Sequence, residues 1–230
     1  GETNLWPSRL ANFGVLDTCG FPTDPYYLYQ SLWTAAPMVH LLPHWTHHGK
    51  EGVVIPVVAY TNCDAVELFL NDRSLGLQVY ADEQLVWYVP YEPGRLRAVG
   101  RRQGAEVAEA EQVTAGPPAA VRVTPDKTVV RVGSGDVVHL EVDIVDAAGT
   151  LVPWADHTVT FEIIGPARLI GVDNGDPLDL SPYKVSWRKA FRGKCLAIVQ
   201  ATGERGTVRV TAAVVENERM TVGRVQITCW

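Results

Sequence analysis

Val138-His139-Leu140-Glu141-Val142-Asp143-Ile144-Val145 alternates apolar and polar side chains. A period of two belongs to a β-strand with one face turned to a core. The same signature recurs outward from it. Thr158-Val159-Thr160-Phe161-Glu162-Ile163 repeats it after the turn Ala147-Ala148-Gly149-Thr150, and Cys195 to Gln200, Thr207 to Ala213 and Thr221 to Thr228 close the chain. Upstream lie Val121-Arg122-Val123 and Val129-Val130-Arg131-Val132, followed by the turn-forming Gly133-Ser134-Gly135-Asp136. Residues 165–192 read as loop-rich. Short strands punctuated by turns, with no helix required, predict a β-sandwich.

Gly116-Pro117-Pro118 is the strongest linker signal in the chain. Before it a second strand series runs from Val39. Val53 to Tyr60 is β-rich, with Pro56 pointing to an edge position or a bulge, because proline cannot donate to a ladder. Val66-Glu67-Leu68-Phe69-Leu70 enters a hairpin turn at Asn71-Asp72, Leu85 to Pro90 is a strand, and Gln103-Gly104 joins Arg95–Arg101 to Glu106–Val113. This predicts a second sandwich. The first 36 residues differ. Asp24-Pro25-Tyr26-Tyr27-Leu28-Tyr29-Gln30-Ser31-Leu32-Trp33 predicts a helix, with Asp24 as cap, Pro25 in the first turn and Pro37 beyond its end. Tyr26, Tyr29, Leu32 and Trp33 fall on one face, a stripe that requires a partner surface.

Composition excludes several classes. A chain that is 47% hydrophobic and 20% charged is too apolar for disorder. A net charge of −6 without a Lys/Arg block argues against nucleic-acid binding. The longest apolar runs fall far short of the ~20 residues that span a bilayer. Gly1-Glu2-Thr3-Asn4 offers neither the basic start nor the apolar run of a secretory signal. The chain holds 2 Met, neither at position 1, which suggests a processed or excised segment.

The polar clusters are read against their structural alternatives. Cys19, Cys63, Cys195 and Cys229 are too widely spaced for a metal set, and Cys195 sits in an apolar run that predicts a buried thiol. No metal and no cofactor is expected. Glu141 and Asp143 share a strand face, read as solvated rather than as an acid pair. Asp173-Asn174-Gly175-Asp176 is read as a turn, because Gly175 and Pro177 stand where a calcium loop needs oxygen ligands. His44, Trp45, His47 and His48 lie between Pro43 and Gly49, which predicts an extended segment with an aromatic anchor. No phosphate loop, nucleophile elbow or Ser/His/Asp order is present.

Beyond periodicity, Trp6-Pro7-Ser8-Arg9, Phe13 to Pro22, Asp24, Tyr26-Tyr27, Tyr29-Gln30-Ser31 and Trp33 resemble the end of the catalytic barrel in family 2 glycoside hydrolases of the β-galactosidase type. His40 to Trp45, Tyr60 to Asp64 and Val66 to Asn71 resemble the immunoglobulin-like domain after that barrel. Gly171 to Pro177 and Ala190 to Leu196 resemble its C-terminal sandwich. The blocks occur in family order across nearly the whole chain. His47 and His48 depart from the family, where a second tryptophan is usual nearby, so no sugar-stacking role is carried onto that loop.

The resemblance implies an all-β chain of two immunoglobulin-like β-sandwich domains preceded by a short helical remnant of a (β/α)8 barrel. Residues 1–36 would be the barrel's last loop and helix, 37–116 the first sandwich and 117–230 the second. Both catalytic glutamates of the family lie on barrel strands that would precede residue 1, so the chain would be inactive alone. It would buttress the barrel and shape its active-site mouth. Barrel active sites lie on the face of the loops after each strand, so Trp6, Asn12 and Phe13 are the candidate substrate-binding residues at the rim of a sugar site. The implied partners are the barrel and N-terminal domains of the parent enzyme, and through it a β-galactoside-type carbohydrate. A different class of function competes: an independent carbohydrate-binding or adhesion module, presenting Trp154, Trp187 and Trp45 on a rigid sandwich.

Overall fold

The computed structural model describes residues 6–8, 13–81, 84–216 and 219–230. Its contacts divide into two units. The N-terminal unit comprises Gly14–Leu16 and Pro22–Ala115; the C-terminal unit comprises Gly116–Trp230, Asp17–Phe21 and the described part of Gly1–Phe13. The segment 1–36, grouped together from the sequence, is thus shared between the two.

In the N-terminal unit the chain forms α1 (Asp24–Trp33), then β1 (Val39–Leu42), β2 (Val54–Thr61), β3 (Ala65–Leu70), β4 (Arg73–Val79), β5 (Leu85–Pro90), β6 (Arg95–Arg102) and β7 (Ala105–Val113). A three-stranded sheet, β1-β2-β5, and a four-stranded sheet, β4-β3-β6-β7, bury one face each. The alternation in β3 sets Val66, Leu68 and Leu70 inward, where they join Leu41, Trp45, Val57, Trp87, Tyr91 and Leu96 in one core. Each such buried side chain contributes about 1.5–3 kcal/mol relative to exposure. The hairpins form where expected. Asn71 and Asp72 both take positive φ (49° and 63°), the backbone of a tight turn whose twist matches the flanking strands. Pro56 lies in the central strand of its sheet, paired with Tyr88. β1 ends opposite Val58, so on that side β2 is locally an edge at Pro56. That reconciles the proline with the ladder.

The C-terminal unit contains β8 (Ala120–Pro125), β9 (Val129–Val130), β10 (Val137–Val145), β11 (Thr158–Ile164), β12 (Ala167–Asp173), β13 (Trp187–Lys189), β14 (Lys194–Ala201), β15 (Gly206–Glu216) and β16 (Arg219–Cys229). They form the sheets β12-β14-β10-β8 and β13-β11-β15-β16-β9. Val138, Leu140 and Val142 of β10 and Cys195, Ala197 and Val199 of β14 point into the core; Val159 and Phe161 of β11 and Val208, Val210 and Ala212 of β15 belong to it as well. At Gly223 in β16 an added Cβ would lie 2.4 Å from the Val121 carbonyl oxygen, so glycine lets β8 and β16 approach backbone to backbone. The all-β class is therefore observed, with one short helix.

Two local expectations are corrected and one is sharpened. Residues 165–192 are loop-rich as expected but also contain β13 and β12, which pairs with β14; the β12 register shifts between Leu169 and Gly171, and that irregularity hides the alternation in the sequence. Asp24 does not cap α1. Thr23 occupies the cap position without a side-chain bond to the helix, and its hydroxyl donates to Val15 O instead. The face of Glu141 and Asp143 is not simply solvated. Asp143 is buried and accepts from Arg122 (2.7 Å) and Lys194 (2.9 Å), and Lys194 also pairs with Glu141. Burial opposes the Lys194 charge, but these two carboxylates outweigh it and hold its ammonium above the usual range.

Candidate functional site

The aromatic stripe of α1 faces outward. Pro25 starts the helix and the spacing of Tyr26, Tyr29, Leu32 and Trp33 sets all four on its exposed side, at 38%, 42%, 58% and 78% accessibility. Tyr29 and Trp33 stack at 4.8 Å, as the i, i+4 relation allows. The side that packs on the sandwich is the other one. The Tyr27 ring lies flat on His40, 3.8 Å between centroids, and His40 in turn faces Tyr60 at 6.3 Å. His40 Nε2 meets Asp24 Oδ1 at 3.1 Å, which ties the first helical residue to β1. Burial, with Asp24 close by, pushes the Tyr60 hydroxyl pKa up and keeps it neutral. Ser31 is buried beneath the helix and donates to Leu28 O. Asn62 anchors the exit of the helix: it accepts from Met38 N–H and donates to Thr34 O and Ala36 O. The helix is fixed by polar and stacked contacts while its largest apolar side chains stay outside.

Among the residues proposed from the sequence, Trp6 and Phe13 are exposed at 79% and 78%, and Asn12 lies outside the described residues. Trp154 and Trp187 are partly exposed. Trp45 is not available to a ligand: it is fully buried, edge-on to Tyr91, with its indole N–H on Glu92 O at 2.9 Å. Its anchoring role in an extended segment is as expected.

The C-terminal unit carries a dense polar cluster around the turn at 173–176. Asp17 Oδ1 accepts from Cys19 N–H and Phe21 N–H. Gly175 has a φ of 74°, and a Cβ there would lie 2.2 Å from Asp17 Oδ2, so the carboxylate sits directly against this glycine. Asn174 donates to Asp179 and to Lys189 O, and fully buried Arg188 donates to Asp179 Oδ2, Val172 O and Pro182 O. Burial pushes the Asp179 carboxyl up, but the Ser181 hydroxyl and amide and the Arg188 guanidinium outweigh it and bring it down to about 2. Burial pushes the Cys195 thiol up to about 12, and burial with Asp173 and Asp17 nearby also raises Cys19. These cysteines are held as neutral thiols, not as nucleophiles. Among the described residues no three of His, Cys, Asp and Glu gather as a metal set, and no helix is long and apolar enough to cross a membrane.

Residues 121–222 match the model of the glycoside hydrolase family 2 C-terminal domain 5, and residues 52–108 match a domain of unknown function, DUF4982. The chain belongs to glycoside hydrolase family 2. It corresponds to the C-terminal region of family 2 proteins. It is 41% identical over 210 residues to beta-galactosidase BoGH2A of Bacteroides ovatus, covering 90% of this chain and 24% of that protein. It is 39% identical over 221 residues to a putative beta-glucuronidase of Formosa agariphila, covering 93% of this chain and 21% of that protein. A beta-glycosidase from Bacteroides vulgatus has the same fold, with a TM-score of 0.94 and 47% identity, over 97% of this chain and 29% of that one. A family 2 member from Bacteroides cellulosilyticus gives a TM-score of 0.91 at 32% identity, over 98% of this chain and 32% of that one. The chain thus spans about a quarter of the length of the curated relatives it matches.

Proposed function

We propose that this region is the non-catalytic C-terminal portion of a β-galactosidase-like retaining glycoside hydrolase, in which it buttresses the catalytic barrel and shapes the mouth of its active site. The single observation that carries the reading is the exposed face of α1. Four large apolar side chains stand out from a helix whose opposite side is tied down, and an apolar patch of this kind marks an interface. The relatives are several-fold longer, so a barrel is the natural cover. In this reading residues 1–36 are the barrel's last loop and helix, 37–116 an immunoglobulin-like sandwich and 117–230 a C-terminal sandwich. Trp6, Asn12 and Phe13 stand at the rim of the sugar site. The substrate is a β-galactoside or, by the names of other relatives, a β-glucuronide.

Two measurements test this. The 230-residue chain and a longer chain carrying the barrel are assayed on aryl β-galactosides and aryl β-glucuronides; turnover is expected only from the longer one, and turnover by the short chain sinks the proposal. In the longer chain Trp33→Glu places a charge in the proposed interface. Since full burial of such a side chain is worth about 1.5–3 kcal/mol, a drop of several degrees in the barrel's melting temperature is expected, and an unchanged melting temperature argues against docking through α1.

A further inference from the structure

The two sheets of the N-terminal unit differ on the sides they turn away from their core. On β4-β3-β6-β7 that side is charged: Glu67 pairs with Arg101 at 3.2 Å and Glu109 with Arg97 at 3.8 Å. On β1-β2-β5 it is apolar. Burial alternates along β2 with Val57, Ala59 and Thr61 inward, so Val54, Pro56, Val58 and Tyr60 point outward. The same alternation turns Val86, Tyr88 and Pro90 of β5 to that side, with His40 and Leu42 of β1. Register sets them in rows. Leu42, Val58 and Val86 lie across from one another, then Pro56 beside Tyr88, then Val54 beside Pro90. None of these residues is Asp, Glu, Lys or Arg, and the one histidine is tied to Asp24. Strands that are apolar on both faces belong to a sheet covered on both sides. Here Val54 is 53% and Tyr88 75% exposed.

One end of this face is already covered, and by a helix. α1 lays Tyr27 flat on His40, which stands across the ladder from Tyr60. From Val58 to Val54 the face is open. With strands ~4.8 Å apart and a rise of ~3.3 Å per residue, the opening is roughly 10 Å wide and 13 Å long. That admits the side of one helix about 10 Å across. Because α1 rises a helix's thickness above the strands, the opening is a recess. A flat surface resting on α1 cannot reach its floor, whereas a helix lying beside α1 can. We propose that the recess receives a second helix, packed beside α1 and supplied by the polypeptide that precedes residue 1 in the full-length protein. The floor carries no acid, lysine or arginine, so its occupant must present an apolar side, and α1 shows that a helix does so on this sheet. The recess adjoins the outward stripe of α1, so one body can cover both. The curated relatives hold about three-quarters of their length outside the matched region, which is ample chain to supply it. The inference rests on the reading of α1 as the last helix of a barrel, whose outer ring gives each helix a helical neighbour.

The test uses the longer chain that carries the residues upstream of residue 1. Two variants, Tyr88→p-benzoylphenylalanine and Trp33→p-benzoylphenylalanine, are irradiated and their cross-linked peptides mapped by mass spectrometry. From position 88 a cross-link to a helical segment upstream of residue 1 is expected. Hydroxyl-radical labelling of the unsubstituted protein is the second measurement. Tyr88 and Pro56 are expected to label roughly fivefold more slowly in the longer chain than in the 230-residue chain, since the core of an interface is dry. Cross-linking from position 33 alone, with Tyr88 labelled equally in both chains, overturns this proposal and leaves the barrel reading standing. No cross-link from either position, with equal labelling, removes both. A cross-link from position 88 to an upstream strand or loop, or to a second copy of the chain, overturns the proposal as well.

Discussion

Replacing Arg188 by methionine, which keeps an apolar stem and removes the charge, is expected to destabilise the C-terminal unit by about 3–5 kcal/mol at pH 7. The size follows from what the guanidinium holds. It is fully buried and donates to Asp179 at 2.8 Å and to the Val172 and Pro182 carbonyls at 2.9 Å each. Stripping the donor from two buried carbonyls costs about 1 kcal/mol or more apiece. The remainder comes from stranding Asp179, whose carboxyl is brought from 3.8 down to about 2, partly by this partner and partly by Ser181. At ~1.4 kcal/mol per pKa unit, that depression stores about 2–3 kcal/mol shared between them. The sign is fixed by linkage. A folded-state pKa below the unfolded value stabilises fully above pH ~4 and is lost as pH falls toward 2. In the variant the carboxyl titrates higher, so the gap between variant and parent should narrow between pH 5 and 3. Urea unfolding at pH 7, 5 and 3 reads the gap, and hydrogen exchange of the β12 and β13 amides shows where stability is lost. A cost below about 1 kcal/mol at neutral pH, or one that acid leaves unchanged, would refute the assignment of Arg188 as the tie of this region.

Two further outcomes are expected. Trp45→Ala removes a fully buried indole and its bond to Glu92 O, and should cost the N-terminal unit about 3–5 kcal/mol in urea unfolding, whereas a loss within 1 kcal/mol would mean the core collapses around the gap. All four cysteines are free, with Cys63, Cys195 and Cys229 buried and the Cys19 and Cys195 thiols raised. An aromatic disulfide reagent at pH 8 should therefore modify the native chain slowly and all four thiols at once after denaturation; rapid native modification of Cys195 would contradict its burial.

Much of the fold was legible because strand alternation and turn chemistry are local. Val138 to Val145 shows its buried face directly, and Asn71-Asp72 and Gln103-Gly104 are the dipeptides whose backbone tolerates positive φ. β12 was not legible, since the shift between Leu169 and Gly171 breaks the period that would reveal it. The helix was visible, but its orientation was only half so. Aromatic spacing marked the stripe of Tyr26, Tyr29, Leu32 and Trp33 as needing a partner, while nothing local marked Tyr27, His40, Tyr60 and Asn62 as the grip on the other side. That grip joins residues far apart in sequence, and a period records only neighbours.

The turn Asp17–Phe21 extends the C-terminal unit beyond its contiguous stretch of chain. Leu16 pairs with Pro22 to close that turn, and yet Asp17 rests on Gly175 and Phe21 lies 5.2 Å from the Lys194 ammonium, more than 150 positions downstream. The block that matches the family's C-terminal domain, residues 121–222, is therefore shorter than the physical body it names. A recombination event that copied the block from Gly116 onward into another protein would leave behind the five residues that seat the 173–176 turn. Unlike a sandwich that travels between genes as a self-contained cassette, this one is expected to be inherited together with the segment that precedes its neighbour, and so to share that segment's history.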